Sequence, residues 1–370
     1  MYRRNGIWTW KHTATAEKET GYEDVIDSFN IISVDKFKAL TKEQQAPYVN
    51  EVIKKIRAVN IYPTYYYNDK GIEEELIKCF YAEVSPIEYG ALNEHGRSGN
   101  TLLDFLFPNL HLAESGNNKG NSLYSRFYND EKLAKCLHRH MKNYKFTNMR
   151  TPFFMYGRFF WSTPTNFSPM RAKAIYESLA PKYSVIYDFS AGYGGRMLGA
   201  LSALKGVYTY IGCEPTKDTY HNLNILGQHI ERVTQRKDSY KLYNTGSELL
   251  QLEPNSVDFA FSCPPYFALE RYSLESTQSI VKYPAYEDWV NEYVIGTLTN
   301  VHSALKHGGK LGFIVATNVH YMNKKYALAQ SWIDAAHKCG FTFVQRYELD
   351  TMSRKKSANT EALYIFRKGV

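Results

Sequence analysis

The chain has 370 residues, 44% of them hydrophobic, a net charge of +8 and a pI near 8.9. That length suits one large or two ordinary domains with a sizeable core. It contains no run of eighteen apolar residues that would predict a membrane span, and the mild basic excess fits a polyanionic partner without requiring one. Tyr (31) and Phe (20) are unusually frequent, which predicts aromatic core filling and, at some positions, stacking platforms.

The first 33 residues are polar and aromatic with little period, as expected of an irregular arm. Met1-Tyr2-Arg3-Arg4 is not followed by the apolar run of a secretory leader. From Val34 to Val59 apolar residues recur at helical spacing, with Ser33 as cap and Pro47 as break. Ile61–Tyr67 is β-branched and aromatic, Asn68–Gly71 turns, and Ile72–Ala82 is helical. Residues 87–121 are rich in Gly, Asn and Ser, which predicts loops around the apolar stretch Leu102–Phe107. Ser122–Tyr144 reads as a helix whose end is basic, through Lys135, His138, Arg139, His140, Lys142 and Lys145. Such a cluster is a solvated face or a nucleic-acid contact. Cys136, His138 and His140 alternate on this helix and so diverge, which argues against a shared metal ion. The five cysteines, Cys79, Cys136, Cys213, Cys263 and Cys339, have no metal-ligand spacing. Their odd, dispersed pattern predicts a reducing, intracellular, cytoplasmic setting.

A regular α/β alternation begins near residue 150, which predicts domains over 1–150 and 151–370. Ser168 caps and Pro169 starts a helix to Leu179. Strands follow at 184–189, 208–214, 241–245, 257–262 and 310–316. Helices are expected at Lys217–Glu231, Tyr286–Leu305 and 325–338. Strands at 341–349 and 361–367 end the chain. Two consecutive terminal strands predict a mostly parallel sheet with an antiparallel hairpin.

Three stretches carry chemistry. Asp188-Phe189-Ser190-Ala191-Gly192-Tyr193-Gly194-Gly195-Arg196 is a strand end, a glycine loop and a helix start. Glycines there let a ligand approach the backbone closely. Glu214 ends the next strand, about twenty residues on, where Rossmann-type units place the acid that holds ribose hydroxyls. Ser262-Cys263-Pro264-Pro265-Tyr266-Phe267 runs from a buried strand into a rigid aromatic turn. A dinucleotide fingerprint would need a third glycine where Met197 stands, and no Lys-Ser/Thr follows the loop as in a P-loop.

In this order the three stretches resemble the class I S-adenosylmethionine-dependent methyltransferases. Within them they look most like amino-methyltransferases acting on adenine N6 or cytosine N4 of DNA. The resemblance covers residues 150–370. It implies a Rossmann-like, mostly parallel seven-stranded sheet with a C-terminal antiparallel hairpin, beside a mainly helical N-terminal domain. It implies S-adenosylmethionine as cofactor, held by Asp188, Ser190, Ala191, Gly192, Gly194, Glu214 and Ser262, with Ser247 or Glu248 at the adenine. Catalysis would fall to Cys263, Pro264, Pro265 and Tyr266, with Tyr266 stacking on a flipped base. Phe267, Arg271, Arg354 and Lys355 would touch substrate. No metal is expected.

The family usually has Asp, Asn or Ser where this chain has Cys263, and a thiol is the weaker acceptor. Three readings stay open there. The Pro264 carbonyl carries the work, the substrate differs, or the protein is a weakly active nucleic-acid-binding or assembly scaffold. RNA and protein amides are rival acceptors. The N-terminal region is expected to supply nucleic-acid, protein-partner or homo-oligomer contacts, with no membrane role.

Overall fold

The computed structural model describes residues 2–4, 7–9, 29–59, 62–87, 91–92, 96–115, 121–146, 151–161, 163–203, 207–349 and 360–369. They form two compact units. One comprises Met1–Tyr66 and Pro108–Pro164, the other Tyr67–Phe107 and Thr165–Val370. The division differs from a single cut at 150, because 67–107 belongs with the later chain. Lys173 explains part of this: its Nζ is buried and donates to the carbonyls of Cys79 (3.1 Å), Phe80 (2.9 Å) and Ala82 (2.8 Å). A cation there satisfies the open carbonyls at the end of helix Asp69–Tyr81.

The first unit is mainly helical, with helices at Val34–Ala39, Lys42–Val59, Leu123–Phe127, Asp130–Met141 and Tyr156–Phe160. Ser33 caps the first helix as expected. The interruption falls at Leu40–Thr41, and Pro47 lies inside the second helix. Thr41 and Gln44 explain the restart. The Thr41 N–H donates to Gln44 Oε1 (3.0 Å), and the Thr41 carbonyl receives the first amides of the new helix. Tyr62, Phe127 and Phe153 meet at ring-centroid distances of 5.2–5.9 Å, so these aromatics are core. Cys136 and His140 are buried, while His138 turns to Gln45 Oε1 (3.0 Å). Among the described residues no three His, Cys, Asp or Glu side chains gather as metal ligands, and no helix is long and apolar enough to cross a membrane.

The second unit is built on one sheet. Its strands are β1 (Ala91–Leu92), β2 (Ser184–Asp188), β3 (Val207–Cys213), β4 (Tyr240–Tyr243), β5 (Val257–Ser262), β6 (Leu305–Ala316), β7 (Phe341–Leu349) and β8 (Glu361–Lys368). The spatial order is β1-β7-β8-β6-β5-β2-β3-β4. Only β8 runs antiparallel to its neighbours, β6 and β7. The terminal hairpin is therefore folded in, with β8 inserted beside β6. The two-residue β1 adds an edge that the sequence pattern does not announce.

Helices cover both faces: α1 (Asp69–Tyr81), α2 (Asn100–Leu106), α3 (Pro169–Leu179), α4 (Gly195–Ser202), α5 (Lys217–Thr234), α6 and α7 (Leu328–Lys338). The sixth, α6, runs Tyr286–Asp288, through a π-helical stretch Trp289–Val294, into Ile295–Ala304. Phe259 and Phe261 of β5 meet Tyr176 of α3. Phe313 of β6 is in register with Ser262, not Phe261, so it points to the other face, where it meets Trp332 of α7. Gly199 lets α4 approach α3: a Cβ there would lie 2.5 Å from both the Ala172 Cβ and the Pro169 carbonyl.

Candidate active site

The carboxyl ends of β2, β3 and β5 meet over a cavity of about 290 Å³, where open α/β sheets place their ligands. The loop after β2 forms its floor. Gly192 (φ 56°) and Gly194 (φ 79°) take the left-handed conformation that favours glycine. A Cβ on Gly194 would sit 2.8 Å from Phe107 and Leu226, so this turn has no room for a side chain. The loop is tied to β3 by the Ala191 amide, which donates to the Cys213 carbonyl (2.9 Å).

Glu214 lines the cavity and is 8% exposed. Its two oxygens each accept one amide, from Gly192 (3.1 Å) and Thr216 (2.9 Å). Each keeps lone-pair capacity for a ligand hydroxyl. Burial pushes its carboxyl up to about 7, against the pull of those amides.

Asp188 has a different place from the one the resemblance implied. It is fully buried and does not line the cavity. Four donors converge on its carboxylate: Arg196 Nε (2.9 Å), Tyr210 Oη (2.8 Å), Ser262 Oγ (2.7 Å) and the Ser190 amide (3.2 Å). Arg196 also donates to the Ser190 carbonyl. Asp188 and Ser262 thus shape the loop from behind, and Arg196 is the charge that reaches the cavity. Ala191 and Gly194 likewise support the wall without lining it, while Ser190 and Gly192 line it. Arg196 had a sequence signal. It is the one charged residue in the apolar helix Gly195–Ser202, eight positions after an acid, and a buried lone cation needs a partner.

The Pro-Pro turn forms the opposite wall. Cys263, Pro264, Pro265, Tyr266 and Phe267 all line the cavity. Burial raises the Cys263 thiol to about 12, so it stays protonated at neutral pH. Its Sγ lies 3.4 Å from Tyr266 Oη, which donates to Glu361 Oε1 (2.9 Å). Tyr266 is therefore pinned at its hydroxyl and 9% exposed. Phe267 is 2% exposed and sits at φ 53°, a strained setting for a bulky residue. Its ring is held among Tyr286, Trp289, Tyr321 and Tyr326 at 5.1–6.0 Å, so it anchors the turn into the core. Ser247 and Glu248 line the cavity, with Glu248 paired to Lys282. Arg271 does not line it, and Arg354 and Lys355 lie outside the described residues.

Sequence reasoning placed Tyr193 in the glycine loop and Glu270 and Tyr272 in a long loop beside the site, gave them no roles and did not single out Tyr293 or Glu361, yet all five line this cavity. Glu270 accepts from Tyr272 Oη, and burial, aided by Glu361, raises its carboxyl to about 7. Tyr293 meets Ser190 Oγ at 3.2 Å. Tyr193 is 8% exposed, and its hydroxyl has no partner among the described residues.

No family model and no curated protein matches the sequence. Solved structures do match. A putative S-adenosylmethionine dependent methyltransferase from Listeria monocytogenes is 12% identical, at a TM-score of 0.35, over 51% of this chain and 92% of that one. A TehB-like SAM-dependent methyltransferase from Corynebacterium glutamicum is 14% identical, at 0.35, over 55% and 89%. The 1,6-didemethyltoxoflavin-N1-methyltransferase of Burkholderia thailandensis, solved with S-adenosylhomocysteine, is 14% identical, at 0.37, over 54% and 77%. The strand order itself decides the architecture.

The fold is a Rossmann-like α/β fold. In this fold the strand ends bring the glycine loop, Glu214 and the Pro-Pro turn around one cavity.

Proposed function

We propose that the protein is an S-adenosylmethionine-dependent methyltransferase acting on an exocyclic amino group of a DNA base, adenine N6 or cytosine N4. The observation that carries this reading is one cavity with Glu214 and the Gly192 amide on one wall and Pro264-Pro265-Tyr266 on the other. The residues present fit the cofactor. Gly192 leaves its side of the floor clear, since a Cβ there would meet nothing closer than 3.7 Å. Arg171 brings a buried Nε, without a partner among the described residues, to the cavity wall. Glu214 holds the ribose hydroxyls, and Arg171 and Arg196 attract the carboxylate of the amino-acid end. When bound, the cofactor supplies an electrophilic methyl group on a sulfonium sulfur.

An exocyclic amine is a poor nucleophile because its lone pair is delocalised into the ring. The Pro264 carbonyl accepts one of its hydrogens and favours the geometry in which the lone pair is free. The protonated Cys263 is no anionic acceptor and no ready nucleophile. The test is incubation with methyl-labelled S-adenosylmethionine and separate DNA, RNA and protein acceptors. Label in N6-methyladenine or N4-methylcytosine supports the reading. Label in RNA or protein moves the acceptor. Cofactor binding with no transfer to any of them supports a disabled scaffold.

A further inference from the structure

Glu270 lies five residues past the Pro-Pro turn, on the same cavity wall, and neither the glycine loop nor the Pro-Pro motif accounts for it. Its carboxylate is held by one strong donor, Tyr272 Oη. Tyr193, Tyr272, Cys263, Tyr266 and Glu361 line the same cavity. The Tyr193 ring stands edge-on to Tyr272, at 6.0 Å between centroids. Its hydroxyl is the second, independent sign of a ligand, because a buried donor left without a partner is costly unless something arrives to meet it. A carboxylate and a hydroxyl without a partner among the described residues thus line one cavity, linked through the Tyr193–Tyr272 ring contact. Together they match an N–H flanked by a hydrogen-bond acceptor, the edge of an amidine, an amide or an aminated ring.

We propose that Glu270 is the proton acceptor for the nitrogen being methylated, with Tyr272 as its positioning residue and the Tyr193 hydroxyl donating to the atom beside that nitrogen. This rests on the methyltransferase reading above and names the acceptor's chemical class. The step balances simply. The acceptor nitrogen forms the N–CH3 bond with its lone pair while the S–CH3 bond breaks and leaves its electron pair on sulfur. The sulfonium charge is thereby lost, and the nitrogen's proton passes to the Glu270 carboxylate and then to solvent. A carboxyl raised to about 7 by burial is suited to take a proton near neutral pH. The neighbouring thiol, at about 12, stays protonated there and offers no free acceptor for that proton.

The test needs no acceptor molecule. Sinefungin carries a primary ammonium where the transferred methyl group would sit, and S-adenosylhomocysteine carries nothing there. A carboxylate aimed at the transfer point should favour the cation. Calorimetric titration of the full chain should give about tenfold or tighter binding of sinefungin than of S-adenosylhomocysteine. In Glu270→Gln that preference should vanish while S-adenosylhomocysteine affinity stays within about twofold of the parent. Equal affinities for the two ligands in the unmutated protein would overturn the proposal, and so would a preference that survives Glu270→Gln. Retained S-adenosylhomocysteine binding shows that the variant is folded. If Glu270→Gln binds neither ligand, the comparison in the unmutated protein decides alone. If the unmutated protein binds neither, the methyltransferase reading itself fails, a result distinct from failure of the Glu270 assignment.

Discussion

Asp188 is the residue on which the loop depends, although it does not face the cavity. Its carboxylate receives four donors, one of them the buried Arg196 guanidinium. Removing one partner of a buried ion pair leaves an uncompensated charge, which costs about 3–5 kcal/mol. Asp188→Asn should lower unfolding free energy by that amount in urea denaturation, and an unchanged midpoint would mean the pair contributes little. Glu214 behaves differently because it has spare acceptor capacity. Glu214→Ala should weaken S-adenosylhomocysteine binding by about 1–3 kcal/mol, read by calorimetry. Glu214 and Glu270 also set a pH trend. Both hold their protons to about 7 when folded, above the ordinary carboxylate value of 4.5. The folded state therefore binds more protons between these values. The stabilisation is present below 4.5 and is lost as pH rises through about 7. The ligand-free protein should show a falling denaturation midpoint across that window, and Glu214→Gln should flatten the fall.

At the scale of elements, α3 and α4 cross at Gly199 with no space for a methyl group. Gly199→Ala should cost about 1–3 kcal/mol through overpacking, measurable as a lower thermal midpoint, whereas Gly308→Ala tests an open position where a Cβ meets nothing within 4 Å. Gly308 sits at φ 74°, so its loss carries backbone strain alone. Nothing in Gly195–Ser202 marks Gly199 as a contact, because Gly-Ala-Leu within an apolar helix reads as ordinary helix. The motifs that were legible are local ones. Gly192, Glu214 and Pro264–Tyr266 each announce a backbone shape or a strand end within a few residues. Glu270, Tyr193 and Glu361 were not legible as a site, since they come from three separate stretches and acquire meaning only when the sheet closes. Phe267 was expected to touch substrate; it lines the cavity, and its ring is also packed among Tyr286, Trp289, Tyr321 and Tyr326, an anchoring that only the tertiary structure shows.

Over the whole molecule, the alternation of strands and helices after residue 165 was plain in the sequence, and the true membership of residues 67–107 was not. That segment is polar and loop-rich around α1 and α2, so composition set it apart from the α/β pattern, whereas Lys173 and the floor contact of Phe107 assign it to the second unit. The first unit carries exposed Lys135 and Arg139 with half-buried Lys142 on one helix. Lys135 also lies 4.6 Å from the Phe160 ring centroid. We expect this face to meet nucleic acid. Changing Lys135, Arg139 and Lys142 together to Gln should reduce the slope of log K against log salt for duplex DNA by up to about 3. An identical slope in the triple variant would remove the face from the interface.

Lys173 has a practical consequence of a different kind. The residue is 4% exposed, and its amine donates to three carbonyls at the end of α1. An acylating reagent in solution can reach it only when α1 comes away from α3. Pulse acetylation followed by peptide mass spectrometry would therefore turn this one side chain into a clock for that separation, while exposed lysines such as Lys135 and Lys145 label at once. A Lys173 that labels as slowly as global unfolding would show that residues 67–107 are a cooperative part of the α/β unit. Faster labelling would show that α1 opens on its own while the sheet stays closed.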